Sequence, residues 1–484
     1  MITELGNTDQ PYPRVTIDVL PDNVLLEIFN FYLVETQAQH RLSNGSPPKD
    51  AWHTLVHVCQ RWRCIVFASP RRLDLQLLCT NKRPVKKALD IWPALPIVIQ
   101  SYNRRSRVPG VTNIVAALKQ HNRVCEICIK LVPTPLLKKI AAMTEPFPAL
   151  TTLHLWSGDE DTPVLPDSFL GGSAPRLQDI ELFNVAFPAL GKLLLSTRDL
   201  VDLGLYDVPY SGYISPEVLV TALSGLTRLQ ALSLAFRSPR SWADRTSRRP
   251  PPLTRIVLPA LTEFYFQTDS DYLEDIVSHI DTPLLDRVEI VFFTQLLFDT
   301  PQLRHFISRT EIFKAPHQAV VDFPFPHIHF KLFRREETID HMVLLLGISC
   351  EDWDAPGQLS SLAQVCNSAL LPLPTLESLG FHEQLYASLG LQDDIENTQW
   401  LEFLHLFTSV KDLELSGNSV QFIAPTLREL AGERVTGVLP ALQSLTLTGS
   451  QPSGPIDWQE AIGQFITTRQ LSGRPVTVHH VANP

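Results

Sequence analysis

The chain has 484 residues, of which 44% are hydrophobic and 19% charged, an ordinary folded composition rather than a disordered one. Its net charge is −10, which sets aside a broad nucleic-acid groove, because such a groove needs clustered positive charge. The 39 prolines argue against long uninterrupted helices, and seven thinly spread cysteines give no disulfide framework, so a reducing compartment, cytoplasmic or nuclear, is expected.

Residues 1–13 are polar, carry Glu4 and Asp9, and have neither the basic nor the apolar region of a secretion signal; they read as a flexible lead. The longest apolar stretch, Met342 to Cys350, fits a buried strand, so no membrane contact is expected. The sequon at Asn44 is accordingly read as chance.

A small helical module follows. Pro21 suits the first position of a helix, and Asp22 suits its first turn, where the dipole favours negative charge. Leu25, Ile28, Phe29 and Tyr32 share one helical face, yet Val24, Leu26, Phe31 and Leu33 are apolar on the other sides. Such a helix needs cover on more than one side, and a module of this size has little interior to supply it. A second helix is predicted over 51–68, where Leu55, Val58, Cys59, Trp62, Ile65 and Val66 keep helical spacing, with solvent expected around Arg61 and Arg63. The stretch between, 36–50, carries an Asn-Gly-Ser-Pro-Pro loop signal.

Over residues 17–72 the chain resembles the F-box family. The resemblance rests on Leu20-Pro21 opening a helix, on Leu25, Ile28 and Phe29 within it, and on Val58-Cys59 and Trp62 in the later helix. The extended 36–50 loop departs from the family, which has a tighter connection there. The resemblance implies docking onto the adaptor subunit of an SCF-type cullin–RING ubiquitin ligase and, through it, onto the cullin. The implied contact residues are Leu20, Pro21, Leu25, Ile28, Phe29, Val58, Cys59 and Trp62. A helical hairpin that merely caps the rest of the chain is the plainer alternative.

From 124 to 447 one pattern recurs: apolar, two of any kind, apolar, one of any kind, apolar. Copies begin at Val124, Leu150, Leu177, Leu200, Leu229, Leu261, Leu285, Leu376, Val410 and Leu442. The last two apolar positions share one strand face, and the residue between them is often polar: His154, Glu181, Ser233, Glu289, Glu414, Thr446. In six copies a proline stands two residues ahead of the first apolar position, where it is expected to stop a preceding helix. The gap from Leu285 to Leu376 has room for three more units, with strands expected at 319–323 and 343–348; Leu73 to Leu77 also reads as strand-like. A strand plus a helical or irregular return every 23 to 34 residues resembles the leucine-rich-repeat pattern, and Asn418 stands at that family's asparagine position. The expected fold is α/β: an F-box at 14–72, then an irregular solenoid of parallel strands with helical returns at 73–484. Stacked units of this kind present an extended binding surface.

Chemistry is hard to place. Cys125-x-x-Cys128 lacks the second ligand pair that a zinc site needs, and His327-Ile-His329 alone makes no closed metal site; these histidines are expected to face solvent. Gly191-Lys192 has no phosphate loop before it, and Ser450 and Ser453 form no nucleophile elbow. The acidic runs at 159–161 and 393–394 read as solvated loops. No cofactor and no catalysis are expected. Better candidates for partner contact are the basic loop from Phe236 to Pro252, with five arginines around Trp242, and Tyr206, Tyr210 and Tyr213 after one strand; Asn103 to Arg107 reads as a surface turn. The expected role is target recognition for a ubiquitin ligase, with an interaction scaffold outside ubiquitin transfer as the alternative.

Overall fold

The structure is a computed structural model, and it describes residues 17–42, 51–80, 85–102, 111–132, 134–158, 164–239, 254–295, 297–313, 316–324, 326–335, 340–350, 355–367, 373–382, 395–417, 419–430, 437–448 and 458–481. The chain forms two compact units, Met1–Ile129 and Lys130–Pro484. Residues 73–129 group with the N-terminal helices, where Trp52 donates its indole N–H to the Gln76 carbonyl and packs edge-on against Trp92.

In the first unit, α1 (Asp22–Leu42), α2 (Trp52–Val56) and α3 (Gln60–Ala68) precede three strands, β1 (Leu77–Thr80), β2 (Ile97–Tyr102) and β3 (Val124–Val132). Helix α1 begins at Asp22, and Pro21 lies just before it, its carbonyl accepting the first helical bond from Leu25. The expected strand at Leu73–Leu77 is mostly a turn: Asp74 takes a left-handed φ of 46°, and the strand starts only at Leu77. β1 runs parallel to β2, Leu77 opposite Ile97, and β3 lies on the other side of β2.

The second unit is an array of strands with helical or irregular returns. Its strands are β4 (Thr152–Ser157), β5 (Asp179–Phe183), β6 (Asp202–Val208), β7 (Ala231–Phe236), β8 (Ile256–Val257), β9 (Glu263–Thr268), β10 (Ile280–Asp281), β11 (Arg287–Phe293), β12 (Gln318–Asp322), β13 (His327–Arg335), β14 (Asp340–Ser349), β15 (Ser378–His382), β16 (Asp412–Ser416), β17 (Ser444–Thr448) and β18 (Thr477–Val481). All ten copies of the apolar pattern supply strands, and every apolar position in them is buried. The sheet order is β4-β5-β6-β7-β9-β11-β14-β13-β12-β15-β16-β17-β18, while β8 pairs only with β10.

The six prolines have a sharper role than stopping helices. In each such copy the first apolar residue donates its N–H to the carbonyl three residues back, at 3.1–3.3 Å: Leu150 to Phe147, Leu177 to Ala174, Leu261 to Leu258, Leu285 to Thr282, Leu376 to Leu373, Leu442 to Leu439. Proline therefore occupies the second position of a four-residue turn, where its fixed φ is already correct. In successive copies the residue after the first apolar position bonds sideways. Gln178 donates to Thr151, Val201 to Gln178, Gln230 to Val201, and Thr262 to Gln230. This backbone ladder at the strand entries ties one repeat to the next.

The region 286–375 departs from the expected three parallel units. β12 and β14 are strands, as expected near 319–323 and 343–348, but β13 lies between them and runs antiparallel to both. Only four residues separate β12 from β13, and four separate β13 from β14. A parallel crossover needs a dozen or more residues, so connections this short can only reverse the chain. The order is thereby inverted: β14 joins β11 and β12 joins β15, each in parallel.

Candidate functional site

The N-terminal helices divide the residues implicated by the F-box resemblance into two groups. Leu25 and Phe29 are fully buried in the module, and Phe29 packs on the half-buried Trp62 with ring centroids 4.6 Å apart. Cys59 is half-buried and caps α3, its Sγ accepting the Trp62 N–H at 3.4 Å. Ile28 and Val58 lie 42% and 56% exposed, Pro21 is exposed and Leu20 half-buried. Around them Ile17, Val19, Val24, Phe31 and Val34 are also exposed, Phe31 by 70%. The loop positions 43–50 lie outside the described residues.

Arg61 does not simply face solvent. It donates to the Asp22 carboxylate and to the Leu20 carbonyl, both at 2.6 Å, which holds the start of α1 beside the Val58–Trp62 segment. Arg63 likewise donates to the Val56 carbonyl at 3.0 Å, and Arg72 pairs with Glu27. The result is a small helical module with aromatic filling, polar struts at its ends and an apolar surface in between.

In the second unit the polar residues between the strand apolar positions align across neighbouring strands. His154, Glu181, Gly204, Ser233, Tyr265 and Glu289 form one row over β4, β5, β6, β7, β9 and β11. Beside it Asp179 stands directly opposite Asp202. His154 bonds Asp179 at 2.8 Å and lies 3.5 Å from Glu181. Burial raises the Asp202 carboxyl, and the neighbouring Asp179 and Glu263 raise it further, with His154 opposing. Tyr206 and Tyr265 approach to 6.3 Å between centroids, and burial, with Glu289 and Tyr206, pushes the Tyr265 hydroxyl up to about 12.

The histidines expected to face solvent do so only in part. His327 and His329 stack at 5.6 Å, and a side chain at Gly347 would meet the His329 ring at 2.9 Å, so the ring packs against the neighbouring strand at Gly347. Burial, then His327 and Lys331, bring the His329 imidazole down to about 3. Lys331 pairs with the buried Asp322 at 2.7 Å. Among the described residues no group of three or more His, Cys, Asp or Glu is placed to hold a metal ion, and no helix is long and apolar enough to cross a membrane. Cys125 is half-buried with its thiol on the Ile97 carbonyl, while Cys128 is buried.

Of the basic loop, Arg237 is fixed, bridging Asp207 at 2.9 and 3.0 Å and reaching Asn184. The remaining arginines and Trp242, at 240–253, lie outside the described residues, as do the run at 103–107, the acidic runs at 159–161 and 393–394, Asn418, Ser450 and Ser453. The three tyrosines separate: Tyr206 is on the sheet, whereas Tyr210 and Tyr213 are in the turn after it. Sequence spacing could not show which apolar residues of α1 stay uncovered, nor that Tyr213 meets Phe236 and Tyr272.

No protein-family model matches the chain, and no curated protein matches it. Among solved structures it is similar to an internalin from Listeria monocytogenes, at 12% identity over 79% of this chain and 80% of that one, with a TM-score of 0.26. In the second unit one strand-and-return arrangement recurs, and the strand register and the entry ladder join its repeats.

Proposed function

We propose that the chain is the target-recognition subunit of an SCF-type cullin–RING ubiquitin ligase, docking onto the adaptor through its N-terminal helices and onto a target protein through the repeat unit. The observation that carries this reading is the uncovered apolar set on a module too small to bury it: Ile28, Phe31 and Val58 stand in solvent while Leu25 and Phe29 fill the interior. Fully burying one such side chain contributes roughly 1.5–3 kcal/mol, so a partner that covers several gains a firm grip. The order Leu20-Pro21, Val58-Cys59, Trp62 supports the adaptor as that partner.

In this reading the protein performs no chemistry. It raises the local concentration of a target near a ubiquitin-loaded enzyme. Both halves are needed, and adaptor docking can be tested by itself. Co-expression of the full chain with the adaptor should yield a complex that survives purification. Replacing Leu20 and Pro21 together by Ala should remove the adaptor while the circular dichroism of the chain is unchanged. Equal recovery of adaptor with the wild type and this variant would overturn the assignment and favour an interaction scaffold outside ubiquitin transfer.

A further inference from the structure

β18 is the outermost strand of the second unit's sheet: β17 flanks one side, and among the described residues no strand flanks the other. It runs parallel to β17, Thr477 opposite Ser444 and Val481 opposite Thr448. Thr477 donates its N–H to the Gln443 carbonyl at 2.9 Å, so the backbone groups of Thr477, His479 and Val481 turn towards β17. Direction alternates along a parallel strand, and the N–H and carbonyl groups of Val478 and His480 therefore turn outward. No backbone bond among the described residues reaches them there.

The outermost strand of a sheet is ordinarily blunted by a charged side chain, a proline, a bulge or a covering segment. β18 reads Thr-Val-His-His-Val, without Lys, Arg, Asp, Glu or Pro, and its register with β17 is unbroken. It is not covered either, since Thr477, His479, His480 and Val481 are exposed. The return helix before it, Trp458–Leu471, leaves Leu471 84% exposed and buries Arg469. Over residues 458–481 the only exposed charged side chains are Glu460 and Arg474, and Arg474 is held on the Pro440 carbonyl at 3.0 Å. Depletion of charge is the mark of an interface core.

Outward N–H and carbonyl groups of a strand are satisfied by another strand. Val478 and His480 lie symmetrically about His479, so a two-fold axis beside His479, perpendicular to the sheet, runs two copies antiparallel. Val478 of each copy then exchanges both backbone bonds with His480 of the other, four bonds in all. His479 faces His479, Thr477 faces Val481, and no Lys, Arg or carboxylate is opposed across the axis. The axis also keeps each face of the sheet on its own side. Val478 and His480, level with the buried Leu445 and Leu447, thus stay together.

We propose that a second copy of this chain pairs here, β18 to β18, as a closed antiparallel dimer. The inference goes beyond the ligase reading and requires no adaptor, so adaptor capture and self-association succeed or fail independently. A dimer presents two repeat units to one target, which raises avidity without a new contact.

The test is sedimentation equilibrium of the full chain at rising concentration, which should show monomer converting to a species of twice the mass and no larger. His480→Pro removes an outward N–H and leaves the bonds to β17. It should weaken association by about tenfold or more, with the thermal midpoint unchanged. Facing residues of a non-hydrogen-bonded antiparallel pair have Cα atoms about 4.5 Å apart, within reach of a disulfide. Mild oxidation of His479→Cys should therefore give a covalent dimer linked 479 to 479, above the background of the wild type, and Thr477→Cys should not. A chain that stays monomeric at every concentration would overturn the proposal. So would a series of ever larger species, equal cross-linking at 477 and 479, or His480→Pro associating as the wild type does.

Discussion

Phe29 and Trp62 meet with their rings tilted by 54° and their centroids 4.6 Å apart, and their contact joins the first and third helices of the N-terminal module. Ile28, next in the chain, points away and is 42% exposed. Folding and docking can therefore be separated at adjacent positions. Phe29→Ala should destabilise the module by about 3–5 kcal/mol, read by denaturant unfolding followed with tryptophan fluorescence. Ile28→Asp should shift the unfolding midpoint little, within roughly 0.5 kcal/mol, yet reduce adaptor capture strongly. Loss of capture only when stability is also lost would contradict the division.

Gly171 sits at φ +67°, and a Cβ there would come within 2.9 Å of the Pro146 backbone nitrogen. Backbone cannot step aside as a flexible side chain can. Gly171→Ala should cost about 1–3 kcal/mol from crowding alone, more with the left-handed φ added. At Gly347 the obstacle is instead the His329 ring at 2.9 Å. Gly347→Ala should be partly rescued by His329→Ala, a coupling that a double-mutant cycle measures directly.

The His329 imidazole is held neutral by burial, then by His327 and Lys331, with its titration lowered from 6.5 to about 3. Between those two values the unfolded chain takes up a proton that the folded chain refuses. Stability is thus intact above about 6.5 and is lost as pH falls through that window, by up to ~1.4 kcal/mol per pH unit from this group. His329→Gln should flatten the acid side of a plot of urea midpoint against pH. An unchanged slope would show that the ring is solvated when folded.

Most of the second unit was legible because its signal is local and repeated. One apolar triplet sets each strand of the regular repeats, and in six copies a proline marks the turn that leads into it. What stayed hidden depends on partners distant in sequence. The spacing from Leu285 to Leu376 matched three repeats, but the antiparallel β13 follows from the two short connections flanking it, and their shortness shows only once the strand ends are known. The N-terminal site was half legible: periodicity marked the apolar residues of α1, and only packing sorted Leu25 and Phe29 inward from Ile28 and Phe31 outward. Helical spacing alone sends Arg61 to solvent, because its partner Asp22 lies 39 residues away.

Glu274, on the helix Ser270–His279, accepts the backbone N–H groups of Gln302 and Leu303, each at 2.7 Å, and so caps the next return helix, Pro301–Arg309. Its side chain is buried. Glu274→Ala leaves those two donors without an acceptor and should cost about 1–3 kcal/mol. Glu274→Gln keeps one amide oxygen to accept and should lose less. Amide hydrogen exchange at Gln302 and Leu303 would report the loss locally, and unchanged protection there would refute the capping role.

The inverted order of β12, β13 and β14 has a consequence during synthesis. A ribosome releases β12 and β13 before β14, yet β14 is the strand that completes β11 in the finished sheet. From Phe293 to Ser349 the nascent chain carries β11 with a bare edge of N–H and carbonyl groups. At roughly 5–20 residues per second that interval lasts several seconds. The growing polypeptide is most open to mispairing, and most in need of a chaperone, in that interval.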